Sequence, residues 1–166
     1  ADPTVEAPDD GGSSDGDGGS SDSQEVVGMD PMMAEMSVLS ANGQFYDAFQ
    51  AVDLKKMLNL WSDGEDATCA HPGMTTIFGG KNIANSWKAL FSGGKGSLPL
   101  LRATRQKVVL RGNVAWVTCC ETNGDEPTSL EAINIFERKD GRWFMVHHQA
   151  APVFSAAFQA NNIKNK

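Results

Sequence analysis

Apolar positions in the first half of the chain recur at helical spacing. Val38, Phe45, Phe49 and Val52 share one face through Gln44-Phe45-Tyr46-Asp47-Ala48-Phe49, which predicts a helix. Upstream, Met29, Met32, Met33 and Met36 lie at i, i+3, i+4 and i+7, and Pro31 suits a first helical turn. A methionine face of this kind is expected in the core. Asp53 reads as the N-cap of a second, short helix carrying Leu54, Met57, Leu58 and Trp61, ended by Ser62-Asp63-Gly64. Residues 81–91 form a third, with Ile83, Trp87, Leu90 and Phe91 on its inner side and Ser92-Gly93-Gly94 closing it.

Between the second and third helices, residues 67–71 read as a strand that Pro72 stops, since proline cannot donate to a sheet ladder. Residues 75–78 read as its return. The remainder reads as a meander: strands over 100–110, 114–122, 130–138 and 143–151, with a turn at Arg111-Gly112-Asn113, a loop over 123–127 and a hairpin signal at Lys139-Asp140-Gly141-Arg142. Helices first and strands afterwards imply an α+β fold. Alternation puts Val117 and Cys119 on one face of their strand and Trp116, Thr118 and Cys120 on the other, and allows only one of His147 and His148 to point inward.

Charge divides the chain. Of its 166 residues, the first 30 hold nine acids and no lysine or arginine, set among Gly, Ser and Pro. Such a composition buries too little apolar area to offset chain entropy. Residues 1–30 are therefore expected to be a flexible acidic tail, 31–154 a single domain and 155–166 a C-terminal extension. Residues 1–28 are expected to dock on a basic surface of another protein, tethering the domain to a larger complex. The start at Ala1 implies a processed terminus, from transit-peptide cleavage or a vector, so the chloroplast stroma or the cytoplasm is the expected compartment. The domain has no concentrated basic stripe, which argues against nucleic acid, and no apolar run approaches the ~20 residues needed to cross a membrane.

The three cysteines, Cys69, Cys119 and Cys120, make no disulfide framework or zinc spacing, and small apolar fillers are expected. No metal and no cofactor is expected. Cys69 and His71 share a strand face, and His71 stands at the strand end, where a cavity mouth can form.

Phe45-Tyr46-x-Ala48-Phe49, Asp53-Leu54-x-x-Met57-Leu58-x-Leu60-Trp61, His71-Pro72-Gly73, Gly79-Gly80 ahead of the helix with Trp87, Asn134-Ile135-Phe136 and Trp143-x-Met145-Val146-His147-His148 follow one another in this order. Together, over residues 35–153, they resemble the SnoaL-like family of the NTF2-like superfamily. The resemblance implies a cone: a curved antiparallel sheet wrapped by three helices around a pocket, usually in a dimer. The superfamily holds isomerases, polyketide cyclases, transport factors and kinase association domains, so fold does not fix function.

Compared with the ketosteroid isomerases of that superfamily, the resemblance places His71 where the catalytic base stands and Asn134 where an oxyanion donor stands. A histidine serves as a base near neutral pH, and an amide donates hydrogen bonds. The pocket it implies is lined by Phe45, Trp61, Trp87, Val117, Cys119, Ala132, Val146 and His148, and His71, Asn134 and His148 are expected to converge on it. The departures are Phe45 at the oxyanion tyrosine and Trp61 and Trp87 at its two supporting tyrosines. Tyr46 is one position away, about 100° round a helix, and is not expected to substitute. Loss of an oxyanion donor costs about 10²–10³ in rate. The favoured reading is thus a non-catalytic binding or assembly subunit, a homodimer or paired with a related NTF2-like chain through its outer sheet face. The alternative is an isomerase- or cyclase-like enzyme, or a carrier, for a small apolar molecule. A pocket sealed by Trp61, Trp87 and Phe45 marks the first; one open at several hundred Å³ marks the second.

Overall fold

The computed structural model describes residues 30–123 and 129–153. The expected acidic tail up to and including Met29, most of the 123–127 loop and the C-terminal extension lie outside the described residues. Helix α1 (Pro31–Ala51) opens on Asp30, whose side chain accepts from the Met32 and Met33 backbone N–H groups, with Pro31 in the first turn. A cap of this kind is worth about 1 kcal/mol. The buried stripe of α1 runs Ala34, Val38, Ala41, Phe45, Ala48 and Phe49. Met32, Met33 and Met36 stand in solvent at 68%, 57% and 57% exposure, which corrects the expectation of a methionine core face. The cause is helical phase. One turn before Val38 the stripe reaches Ala34, while Met36, two residues before Val38, lies about 200° round the cylinder.

Asp53 caps α2 (Leu54–Leu60) by accepting from Lys56 N at 3.0 Å. The chain then leaves in extended form at Trp61, which bridges to Met145. Strand β1 (Thr68–Ala70) is followed by β2 (Ile77–Phe78), α3 (Gly80–Phe91), a 3-10 turn at Lys95–Ser97, and the long strands β3 (Leu101–Arg111), β4 (Val114–Asn123), β5 (Ser129–Lys139) and β6 (Arg142–Pro152). The six strands form one sheet in the order β2-β1-β6-β5-β4-β3. The sheet is mixed, not wholly antiparallel as expected, because β1 runs parallel to β6 with Cys69 opposite His148. A parallel pair needs a long crossover, and α3 with the β3–β5 meander supplies it.

Asp140 (φ 50°) and Gly141 (φ 76°) close the β5–β6 hairpin, both left-handed as a type I′ turn requires. Two irregularities bend the sheet. One lies between Thr104 and Lys107, where Arg105 takes φ 51°; the other opposes Ile135–Phe136 to Met145–His147 and leaves Val146 as the extra residue. Bulges bend a strand and strengthen its twist. The helices cover the inner face of this curved sheet and enclose one core, centred on Phe45, Met57, Ile83, Trp87, Phe136 and Met145, each at most 2% exposed. The Trp143 indole is tied to α1 by donating to Ser37 Oγ at 2.8 Å. The outer face is left by the helices with Trp116 half-buried and Thr118 exposed.

Candidate functional site

A cavity of about 330 Å³ opens between α1, α3 and the sheet. Its walls are apolar: Phe45 and Phe49 from α1, Trp87 from α3, and Leu98, Leu101 and Leu130 from the sheet side. Met74 and Leu90, both well exposed, form the rim. Three titratable groups interrupt the apolar lining: His71, Glu121 and His148.

His71 follows directly on β1. Its Nε2 lies 3.1 Å from Ser86 Oγ, which itself donates to the Ile83 carbonyl of α3. The Trp87 ring meets the imidazole edge to face at 4.7 Å, and Cys69 Sγ stands 4.0 Å from both ring nitrogens. Burial pushes the His71 pKa down and the Cys69 thiol up to about 12, so the thiol is no nucleophile at neutral pH.

His148 and Glu121 are joined behind the wall by a buried polar chain. Asn134 lies at its centre, 0% exposed. Its Nδ2 donates to Asn42 Oδ1 at 2.7 Å and to the Tyr46 hydroxyl at 3.2 Å, while its Oδ1 is 2.6 Å from His148 Nδ1. Tyr46 in turn donates to Glu121 Oε1 at 2.9 Å and lies 3.2 Å from Cys119 Sγ. Asn42 Nδ2 ends the chain on Gln106 Oε1 at 2.8 Å. Every side-chain polar atom of the two buried asparagines thus has a partner, as burial demands.

Burial sets the charge of this region. It pushes the Glu121 pKa up, partly offset by the Tyr46 hydrogen bond, and so favours the neutral carboxyl. Burial, with His71 and His147 nearby, pushes His148 down to about 3. Burial also raises Tyr46 far above the usual phenol range, and Cys119 to about 11. The cavity therefore presents a neutral His148 imidazole and, elsewhere on its wall, the Glu121 carboxyl, whose pKa burial raises. Among the described residues, no group of three or more His, Cys, Asp or Glu side chains is placed to hold a metal ion, and no helix is long and apolar enough to cross a membrane.

The residues singled out from sequence divide into three sets. Phe45, Trp87, His71 and His148 stand on the cavity wall. Asn134 lies one layer behind His148 and faces no open space, while Trp61, Val117, Cys119 and Ala132 belong to the packed core and not to the lining. Trp61 backs Trp87 at 6.5 Å, and both indole nitrogens are buried without a hydrogen-bond partner among the described residues. Val146 is on the opposite face, in a shallow groove with Thr68, Ile135 and His147. The bulge at Val146 explains that last correction: a one-residue slip turns every side chain before it to the other face, so that Trp143 and Met145 join His148 and Ala150 inside.

Tyr46, one position from Phe45, also points inward, 6% exposed, its ring edge-on to Phe45 at 5.0 Å and its hydroxyl held by Glu121 and Asn134. Asn42, Ser86 and Glu121 carry no mark of chemistry in the element patterns, yet two of them left a signal. Asn42 stands four residues after Val38 and three before Phe45, on the apolar stripe, and Glu121 continues the inward alternation of Val117 and Cys119.

The model of the SnoaL-like domain family matches residues 38–155. Among solved structures, a protein from Streptomyces avermitilis, described as a candidate dehydratase from the NTF2-like family, is 26% identical, with 76% of this chain and 100% of that one covered and a TM-score of 0.67. A candidate calcium/calmodulin-dependent protein kinase type II association domain from Thiobacillus denitrificans is 27% identical, with 70% and 94% covered and a TM-score of 0.56. The F-box protein SKIP8 of Arabidopsis thaliana is 25% identical over 115 residues, 69% of this chain and 49% of that protein. The chain thus spans about half the length of this curated relative.

Proposed function

The chain belongs to the SnoaL-like domain family, and on that premise we propose that it is a small-molecule-binding domain whose cavity takes one neutral, largely apolar molecule and presents a carboxyl and an imidazole to it. The observation that carries this reading is that Glu121 and His148 line the same apolar cavity. The neutral His148 imidazole offers a ligand one hydrogen-bonding nitrogen, and its depressed pKa makes it a weak base, which favours binding over proton transfer. The Tyr46 hydroxyl is engaged by Glu121 and Asn134, so the ligand is met by the carboxyl and not by the phenol.

Native mass spectrometry of protein purified from its own cells tests this. A neutral molecule released on denaturation, and lost from a Leu130→Trp variant that fills the cavity, is the expected result. Wild-type and filled proteins that carry nothing, and that show no thermal shift with any neutral aromatic probe, would count against it.

A second reading is favoured by the outer sheet face, where Val114 is 38% exposed and Trp116 and Ile135 half-buried. Apolar surface of this kind suits pairing with a second copy or a related NTF2-like chain, and the Thiobacillus relative is a candidate association domain. On this reading residues 1–28 tether the domain to a larger complex in the chloroplast stroma or cytoplasm. Both readings are compatible, since the cavity and the outer face lie on opposite sides of the sheet.

A further inference from the structure

The buried chain behind the cavity has a direction, and the direction decides which ligand fits. Tyr46 donates to Glu121 Oε1, so its oxygen is open to accept from Asn134 Nδ2. The same Nδ2 donates to Asn42 Oδ1, whose own Nδ2 is taken by Gln106. With both protons of Asn134 committed, its Oδ1 can only accept, and the atom 2.6 Å away is His148 Nδ1. Nδ1 must then carry the proton. In a neutral imidazole the other nitrogen is an acceptor, and His148 Nε2 has no hydrogen-bond partner among the described residues.

Resting on the reading of the cavity as a ligand site, we propose that Asn134 is a positioning residue that locks His148 as its Nδ1–H tautomer, so that the cavity selects apolar molecules bearing a hydroxyl and rejects carboxylates. A hydroxyl gives its proton to Nε2. A ketone has no proton to give and leaves Nε2 buried and unpaired. A carboxylate meets the bare lone pair of Nε2, and among the described residues no Lys or Arg lines the cavity to neutralise it. A site built to pair with a hydroxyl discriminates steeply against an analogue that lacks one, because its own polar atoms are then stranded. Asn134 meets no ligand; it acts through His148.

The test has two parts. The first needs no ligand: nitrogen-15 NMR of the histidine side chains of the whole chain. The expected spectrum has His148 neutral at pH 5 with its proton on Nδ1. A proton on Nε2 would mean that the amides stand reversed and would overturn the inference. The second part measures binding of four matched probes: naphthalene, 2-naphthol, 2-acetylnaphthalene and 2-naphthoate. 2-Naphthol is expected to bind about tenfold or more tighter than 2-acetylnaphthalene, with 2-naphthoate weakest. Equal binding of the naphthol and the ketone, or tight binding of the naphthoate, overturns the selectivity and leaves the cavity reading standing. Failure of all four, naphthalene included, removes the cavity reading and this inference with it. Asn134→Asp keeps the size and an acceptor but adds charge beside His148, which favours imidazolium and makes Nε2 a donor. The naphthoate should gain on the naphthol in that variant, and an unchanged order of probes would remove Asn134 from the role. If Asn134→Asp does not fold, Asn134→Ala, which removes the Oδ1 acceptor while leaving His148 in place, must weaken the Nδ1–H signal; an unaltered signal overturns the lock.

Discussion

Lowering the pH from 7 to 5 should destabilise this domain through His148. In the folded state burial, with His71 and His147 nearby, holds the His148 pKa at about 3, against 6.5 for the free side chain. A histidine with a depressed folded pKa stays neutral in the native state while the unfolded chain takes up its proton. Stability from this group is therefore complete above 6.5 and is lost as pH falls through the window down to about 3. At pH 5 the unfolded chain gains about 2 kcal/mol over the native state by this route alone. For a domain of this size that is a drop of roughly 6–8 °C in Tm. Glu121 acts in the opposite sense. Its raised folded pKa means that stability falls as pH rises from the unfolded value towards the folded one. The slope of the wild type alone mixes the two. The clean measurement is a double difference: calorimetric Tm at pH 7 and pH 5 for the wild type and for His148→Asn. Asparagine keeps an N–H near the place of Nδ1 for Asn134 Oδ1 and does not titrate. The wild type should lose about 2 kcal/mol more than the variant between the two pH values. Parallel curves would show that His148 is protonated in the native state, and the account of a neutral cavity would fall with it.

Three further outcomes are expected. Gly80→Ala should cost about 1–3 kcal/mol or more in urea unfolding, because a Cβ there would lie 2.6 Å from both Asp63 Cα and the Ser62 carbonyl oxygen, backbone atoms with little freedom to move. Met145→Asp should cost about 3 kcal/mol or more, a buried unpaired charge, whereas Val146→Asp should leave folding within about 1 kcal/mol and weaken any self-association seen by sedimentation. Removing residues 1–28 should leave Tm nearly unchanged and weaken capture of a partner most at low salt; a much lower Tm would tie that segment to the fold.

The elements were legible because their signals are local. The stripe Val38, Phe45, Phe49, the Asp53 cap and the Asp140-Gly141 turn are each set by a few neighbouring residues, and each stands where the pattern puts it. The inward side of β6 was not legible. Trp143 and Met145 are apolar on one parity, Phe144 and Val146 on the other. Alternation therefore chooses neither, and only the pairing to β5 reveals the extra residue. The methionines misled for a related reason. Met32, Met33 and Met36 do make a helical face, but period alone does not say that this face is in phase with the next one. Ala34, one turn before Val38, carried the true phase, and alanine is a weak apolar signal.

The polar chain escapes local reading more completely, and the cause is physical. A buried asparagine costs stability unless its amide is paired, and its partner need not be near in sequence. Asn134 reaches Asn42 across 92 positions, Tyr46 reaches Glu121 across 75, and Asn42 reaches Gln106 across 64. Each residue alone looks like an irregularity: Asn42 spoils an apolar stripe, Glu121 spoils an inward alternation, and Tyr46 sits beside the expected position. Only together do they cancel one another's cost. Three misplaced polar residues on otherwise apolar faces are thus a single signal, since a core that tolerates one of them must supply the others. The resemblance pointed to His71 and Asn134 as the reacting groups, by position. The geometry keeps His71 on the cavity wall, adds His148 and Glu121 to it, and gives Asn134 the task of orienting His148.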